Sequence, residues 1–197
     1  MTSPADIRAE VRRQRQALSE AQRNTAAQAL FDGLRGCPFF LKARRTAAYL
    51  AQDGEIDPRP AIEHLWQSGR EVYLPVLQPG SRLAFAPFTS TTQLKPNRFG
   101  IGEPDVDARQ LLSPRQLDLV LAPLVAFDSH GHRLGMGGGY YDRTFSYLLR
   151  SGSWQRPLLT GIAYDFQERT NMQPQAWDVP MRYIITDQTV IKCKDET

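Results

Sequence analysis

Behind Ser3-Pro4-Ala5-Asp6, apolar residues recur at helical spacing at Ile7, Val11 and Leu18. The leading tetrapeptide supplies an N-cap serine, a proline at the first helical position and an acid in the first turn, so a helix is predicted there. Arg8, Arg12 and Arg15 line another face of it. Ser19-Glu20-Ala21-Gln22 has capping-box spacing and restarts a helix at a new angle. Ala26, Leu30 and Leu34 carry that helix to a stop near Gly36 and Pro38. The period then changes: residues 46–51 read as a strand, 52–57 as a polar loop and 61–67 as a helix ending at Gly69. Residues 71–76 and 82–86 read as further strands, and 117–122 is an apolar run typical of a strand buried on both faces. A helix over 141–149 and strands over 158–163 and 183–186 complete the pattern. Alternation of strand and helix predicts an α/β fold: a single-domain, layered α/β/α arrangement over residues 1–197 with a mainly parallel central sheet.

Composition narrows the class. A hydrophobic fraction of 41% and a charged fraction of 23% place the chain among ordinary soluble globular proteins with room for a substantial core. The net charge is only +3, yet lysine occurs only at Lys42, Lys95, Lys192 and Lys194. The other basic residues are arginines, whose planar fork suits carboxylates and phosphates; genomic composition is the alternative reading. Cys37 and Cys193 lie far apart and form no metal-binding or disulfide pattern. The N-terminus lacks the apolar segment of a signal peptide, and no run reaches the roughly 20 apolar residues of a membrane span, so a cytoplasmic protein is expected. The arginine-rich first helix also carries Asp6 and Glu10 and has no aromatic stacking set, which counts against nucleic acid.

The chemistry concentrates in residues 133–143. Four glycines fall within five residues, Gly135, Gly137, Gly138 and Gly139, interrupted only by Met136 and followed by Tyr140, Tyr141, Asp142 and Arg143. Glycine loses more backbone freedom on folding than any other residue, so the cluster demands a close approach of ligand or chain. No Gly-Lys-Ser/Thr follows, which excludes the P-loop, and the dinucleotide fingerprint fits poorly. Backbone N–H groups at a helix start can cradle phosphate oxygens, with Arg133 neutralising charge from upstream. Asp142 either complements the helix dipole or coordinates Mg²⁺. His130 and His132 have no triad or metal spacing and belong to the turn before the loop.

Residues 119–128, Gly131 and Arg133 through Arg143 together resemble the signature of the 5-formyltetrahydrofolate cyclo-ligase family, also called methenyltetrahydrofolate synthetases. Gly54-Glu55-Ile56-Asp57, Val72-Tyr73-Leu74-Pro75-Val76, Gly102-Glu103-Pro104, Trp177-Asp178-Val179-Pro180 and Ile184-Ile185-Thr186 extend the resemblance over nearly the whole chain. It implies ATP- and Mg²⁺-dependent conversion of 5-formyltetrahydrofolate into 5,10-methenyltetrahydrofolate, releasing ADP and phosphate. In that chemistry the formyl oxygen is phosphorylated, N10 closes the ring and phosphate leaves.

Residue by residue, the resemblance places Arg8 and Arg12 at the nucleotide, where residue periodicity alone gives a solvated helix face. It wraps Arg133, Leu134, Gly135, Met136, Gly137, Gly138, Gly139, Tyr140 and Tyr141 around the triphosphate. Arg133 and Tyr140 carry the catalytic roles. Leu50, Glu55, Phe99, Met136, Gly138 and Tyr140 meet the folate, with an exposed loop acid as the alternative for Glu55 and a core residue as that for Phe99. Asp142 and Asp178 hold the metal; Asp178 also reads as a turn acid. Many relatives carry a basic residue where this chain has Pro4, which leaves the N-terminal phosphate contact to Arg8 or a neighbour. The sequence does not set the oligomeric state; a monomer is the expectation. A nucleotide-binding regulator without turnover, and a cyclo-ligase for a related substrate, are the competing readings.

Overall fold

A computed structural model describes residues 3–150, 156–170 and 172–193; Lys194 and both ends of the domain expected over residues 1–197 lie outside these described residues. Helix α1 (Pro4–Ala17) and helix α2 (Glu20–Arg35) start where their caps predict, Ser3 bonding reciprocally with Asp6 and Ser19 with Gln22. Helix α3 (Pro38–Lys42) follows where only a stop was expected. Pro38 opens it because a missing N–H is harmless in a first turn. Strand β1 (Arg45–Ala47), helix α4 (Arg59–Gln67), β2 (Glu71–Gln78) and β3 (Arg82–Pro87) come next. Strands β4 (Leu94–Pro96) and β5 (Gly102–Pro104) form a separate antiparallel pair. After β6 (Leu119–Pro123), strands β7 (Ala126–Phe127) and β8 (Arg133–Leu134) make a small hairpin. Helix α5 (Tyr140–Phe145), β9 (Leu158–Ile162), β10 (Tyr183–Ile185) and β11 (Val190–Lys192) complete the order.

The seven-stranded sheet runs β11-β10-β9-β6-β1-β2-β3. Its five inner strands are parallel, and β3 and β11 are antiparallel edges. Two-residue alternation splits the core. On one face Leu119, Leu121, Val72, Leu74, Ile162 and Ile185 pack against Leu30, Leu34, Phe40, Ile62 and Leu65 of α2, α3 and α4. On the other, Val120, Ala122, Tyr73, Phe85, Leu159 and Ile184 meet Phe127, Phe145 and Met181. The layered α/β architecture with a mainly parallel sheet is therefore present, with helices on one face and α5 with the β7–β8 hairpin on the other.

Three local expectations change. The strand predicted over 46–51 pairs only as far as Ala47, plus one bond from the Ala48 N–H to the Tyr73 carbonyl. Leu50 and Ala51 owe their apolar character to packing beneath the helices and do not join the ladder. The helix predicted over 141–149 is the six-residue α5 followed by a 3₁₀ turn, Ser146–Leu149. Its end is anchored to the sheet, since Thr144 Oγ1 accepts the Leu83 N–H of β3 at 2.9 Å and Phe145 is fully buried. The third change concerns Arg15, which lies buried instead of lining a solvated face. Cys37 and Cys193 are both buried free thiols. Among the described residues no helix is long and apolar enough to cross a membrane.

Leu34 is wholly enclosed between α2 and the sheet. Leu34→Ala is expected to lower the free energy of unfolding by about 2–5 kcal/mol, read from urea denaturation, because the rigid surroundings leave a cavity.

Candidate functional site

Strand order reverses between β1 and β6: from β1 the chain builds outward through β2, and β6 then returns to the opposite side of β1. In open parallel sheets such a reversal opens a crevice at the carboxyl ends of the strands. Two loops meet there. The loop leaving β1 carries Leu50 and Glu55; the chain leaving β6 runs through the β7–β8 hairpin into the glycine segment.

The hairpin makes the glycine loop precise in position. Val125 N–H bonds the Leu134 carbonyl at 2.8 Å, and Phe127 lies opposite Arg133. Asp128, buried, accepts the His130 and His132 N–H groups at 3.0 Å each and lies 2.8 Å from His132 Nδ1, so the histidines serve the turn. Beyond β8, Gly137 and Gly139 adopt positive φ of 93° and 64°, which L side chains resist. Arg8 packs beside the first: its Nε donates to the Gly135 carbonyl at 2.9 Å, and its guanidinium would touch a Cβ at Gly137 at an ordinary 3.4 Å, so the backbone angle is what calls for glycine there. At the second, Arg143 Nη1 donates to the Gly138 carbonyl at 2.6 Å. With only six residues, α5 offers little dipole. What the loop offers an anion is therefore backbone N–H groups and guanidinium groups more than a helix dipole.

Arg133 is nearly enclosed, its side chain 7% exposed. It donates to Asp142 Oδ1 at 2.5 Å and to the Val179 carbonyl. Asp142 Oδ1 also accepts the Val179 N–H at 3.2 Å, which ties α5 to the segment carrying Asp178. Asp178 closes a turn by accepting the Gln175 N–H at 2.8 Å. Among the described residues no cluster of three or more histidine, cysteine or acidic side chains is poised for a metal. Asp142 is engaged by Arg133 and the Val179 N–H and Asp178 by the Gln175 N–H; carboxylates are nonetheless the donors Mg²⁺ takes, with phosphate and water oxygens completing its shell.

On the β1 side, the Glu55 side chain is only 13% exposed. Its Oε2 accepts the Gln52 N–H at 3.0 Å, and burial pushes its carboxyl above the usual range against the opposing pull of that bond and of Arg15. Tyr141 is held in its phenol form by burial first and by the Glu55 charge second, with Arg133 acting the other way. Leu50 packs beside the core near Gly102 of β5. Phe99, by contrast, is 57% exposed and stands edge-on to Tyr140 with ring centroids 6.2 Å apart. Met136 is 64% exposed. Arg12 reaches Asp53 at 2.9 Å on the surface. Arg8, Arg12 and Arg15 line a cleft of about 750 Å³ together with Val125 and Met136.

Two further arginines stand at the site, neither given a role there by its sequence pattern. Arg98 donates to the Tyr140 hydroxyl and lies 4.9 Å from the Phe99 ring centroid, a contact that its place beside Phe99 foreshadows. Arg15 completes a stripe with Arg8 and Arg12 at helical spacing and follows Val11, the other buried residue of α1, by one turn.

A mainly parallel sheet flanked by helices, with a glycine loop and an acidic loop converging at its strand reversal, defines an α/β protein whose ligand crevice lies at the carboxyl edge. The sequence model of the 5-formyltetrahydrofolate cyclo-ligase family matches residues 1–187, and the chain belongs to that family. The 5-formyltetrahydrofolate cyclo-ligase of Escherichia coli (strain K12) is 38% identical over 91% of this chain and 98% of the relative. That of Haemophilus influenzae is 38% identical over 89% and 92% respectively. The NMR structure of Aquifex aeolicus 5,10-methenyltetrahydrofolate synthetase matches with a TM-score of 0.81 at 30% identity, covering 98% of this chain and 94% of that one.

Removing one partner of the Arg133–Asp142 pair strands an enclosed charge. Asp142→Ala is expected to cost about 3 kcal/mol of stability. Adding Arg133→Met should return part of that loss; a double-mutant cycle on thermal or urea unfolding measures the coupling.

Proposed function

We propose that the chain catalyses the ATP-dependent cyclisation of 5-formyltetrahydrofolate to 5,10-methenyltetrahydrofolate, with release of ADP and phosphate. It does so as a monomeric cytoplasmic enzyme in which residues 1–197 form one catalytic domain. Family membership supports the reaction and the use of ATP as co-substrate. The observation that carries the reading at residue level is the convergence of the Glu55 loop and the glycine loop at one crevice.

Glu55 accepts two hydrogen bonds from the amino and ring N–H donors at the pterin edge, as a carboxylate can. Leu50 packs against the ring system. Phe99 and Met136 are large apolar side chains open to solvent beside the crevice, as Trp177 is elsewhere, and the folate covers the first two. Arg8, with Arg12 beside it, faces the nucleotide across the cleft, and the N–H groups of residues 134–141 surround its phosphates. The formyl carbon is a poor electrophile and its oxygen a poor leaving group until that oxygen is phosphorylated. Arg133 offsets the charge that spreads over the transferring phosphoryl group, and Tyr140 orients the formyl oxygen, its own hydroxyl fixed by Arg98. Tyr141 lines the pocket in its neutral form. Asp142 and Asp178 would hold Mg²⁺, which supplies neutralisation of phosphate charge. Ring closure by N10 then expels phosphate, so the protein contributes alignment and electrostatics.

The test is direct. Protein, MgATP and 5-formyltetrahydrofolate are mixed and the absorbance of methenyltetrahydrofolate is followed; ATP binding without product formation would instead identify a regulator. Glu55→Gln is expected to raise KM for the folate about 10- to 100-fold, the worth of a hydrogen bond to a charged acceptor, with KM for ATP little changed.

A further inference from the structure

Arg15 is the most enclosed charged residue among those described, 4% exposed, and the roles assigned so far leave it without one. Its Nε donates to Gln167 Oε1 at 3.3 Å and one Nη donates to the Leu124 carbonyl at the end of β6. Gln167 is itself fully buried and donates to the Leu124 and Val125 carbonyls at 2.6 and 2.9 Å. The guanidinium is thereby locked to the carboxyl end of β6. Its remaining nitrogen, Nη1, stands 3.9 Å from Glu55 Oε1. That is too far for the hydrogen bond of 2.7–2.9 Å that a free Arg–carboxylate pair would form, yet close enough for strong Coulomb attraction in an enclosed site. The stem matters too: Gly54, at φ +73°, lies so near that a Cβ there would be 3.1 Å from Arg15 Cβ.

Resting on the reading that Glu55 meets the pterin edge, we infer that Arg15 is a positioning residue of the folate subsite. It seats the Glu55 loop and supplies the counter-charge that keeps Glu55 a carboxylate, while its own bonds to β6 prevent it from occupying the oxygens the substrate needs. A protonated Glu55 would lose one of its two acceptor positions toward the pterin. The charged and titratable groups around Glu55 are Arg15, Asp53, Tyr49 and Tyr141. Asp53 is paired with Arg12, and burial keeps both tyrosines neutral, so Arg15 is the cation that favours the charged form of Glu55, beside the larger effect of the Gln52 N–H.

The experiment compares kcat/KM for 5-formyltetrahydrofolate from pH 5 to 8, by phosphate release, in the wild type, Arg15→Gln, Arg15→Lys and Glu55→Gln, with thermal midpoints measured alongside. Arg15→Gln places an amide donor where Nε faces Gln167 and removes the charge. It should move the acid limb to higher pH by about one unit, a tenfold change in the proton affinity of Glu55. Arg15→Lys should move it the same way by less. An unmoved limb in both variants, with only a lower midpoint or a uniform loss of rate, would overturn the proposal. Should Arg15→Gln not fold, Arg15→Lys decides alone by the presence or absence of that displacement. If Glu55→Gln leaves the folate KM and the limb unchanged, the reading of Glu55 fails and this inference falls with it. If Glu55→Gln raises KM while the Arg15 variants keep the wild-type limb, only the role of Arg15 is lost.

Discussion

The reversal of strand order between β1 and β6 is the constraint on which the rest depends. Neighbouring parallel strands whose connections leave in opposite directions cannot cover their own carboxyl ends. The gap must be walled by whatever the chain can bring from elsewhere. Here it brings α1 from the N-terminal region, the glycine hairpin from the loop after β6, and the 175–179 segment from after β9. None of these is continuous with another in sequence, so each must be tied to its neighbours individually.

The ties are polar, and they share a chemistry. Arg8 holds the Gly135 carbonyl, Arg15 the Leu124 carbonyl, Arg133 the Val179 carbonyl and Arg143 the Gly138 carbonyl. A rigid fork of N–H donors can take one backbone oxygen and still present a second face to a carboxylate, as Arg133 does with Asp142; an ammonium group lacks that planar geometry. The predominance of arginine over lysine thus has a structural use in this molecule, whatever its genomic origin. It also explains how α1 docks with only Val11 and Arg15 buried: hydrogen bonds into an enclosed site supply what a thin apolar stripe cannot.

The sequence carried the layered fold because the cues that define it are local: serine caps before α1 and α2, and unbroken apolar runs in β2 and β6. The short pairs β4–β5 and β7–β8 left no such trace, being two or three residues long and specified by their surroundings. At the site, the glycine run and its Tyr-Tyr-Asp-Arg ending were legible because glycine and charged residues are informative wherever they stand. Arg15 was not, because an arginine at helical spacing with Arg8 and Arg12 looks like surface until the partners are known. Those partners, Leu124, Gln167 and Glu55, are spread over three distant stretches of chain. Asp142 read as a dipole complement or a metal ligand, and its pairing with Arg133 depended on a hairpin that the pattern did not reveal.

The bond from Arg8 to Gly135 spans 127 residues. During synthesis at about 5–20 residues per second, the first helix therefore leaves the ribosome on the order of ten seconds before the loop that holds it exists. Helices α2 and α4 can settle on β1 and β2 in that interval, since their partners are already made, whereas α1 must wait with its arginines in water. Completion of the ligand crevice is thus a late step of assembly, because the glycine loop, Gln167 and the 175–179 segment that wall it all follow β6 in the chain.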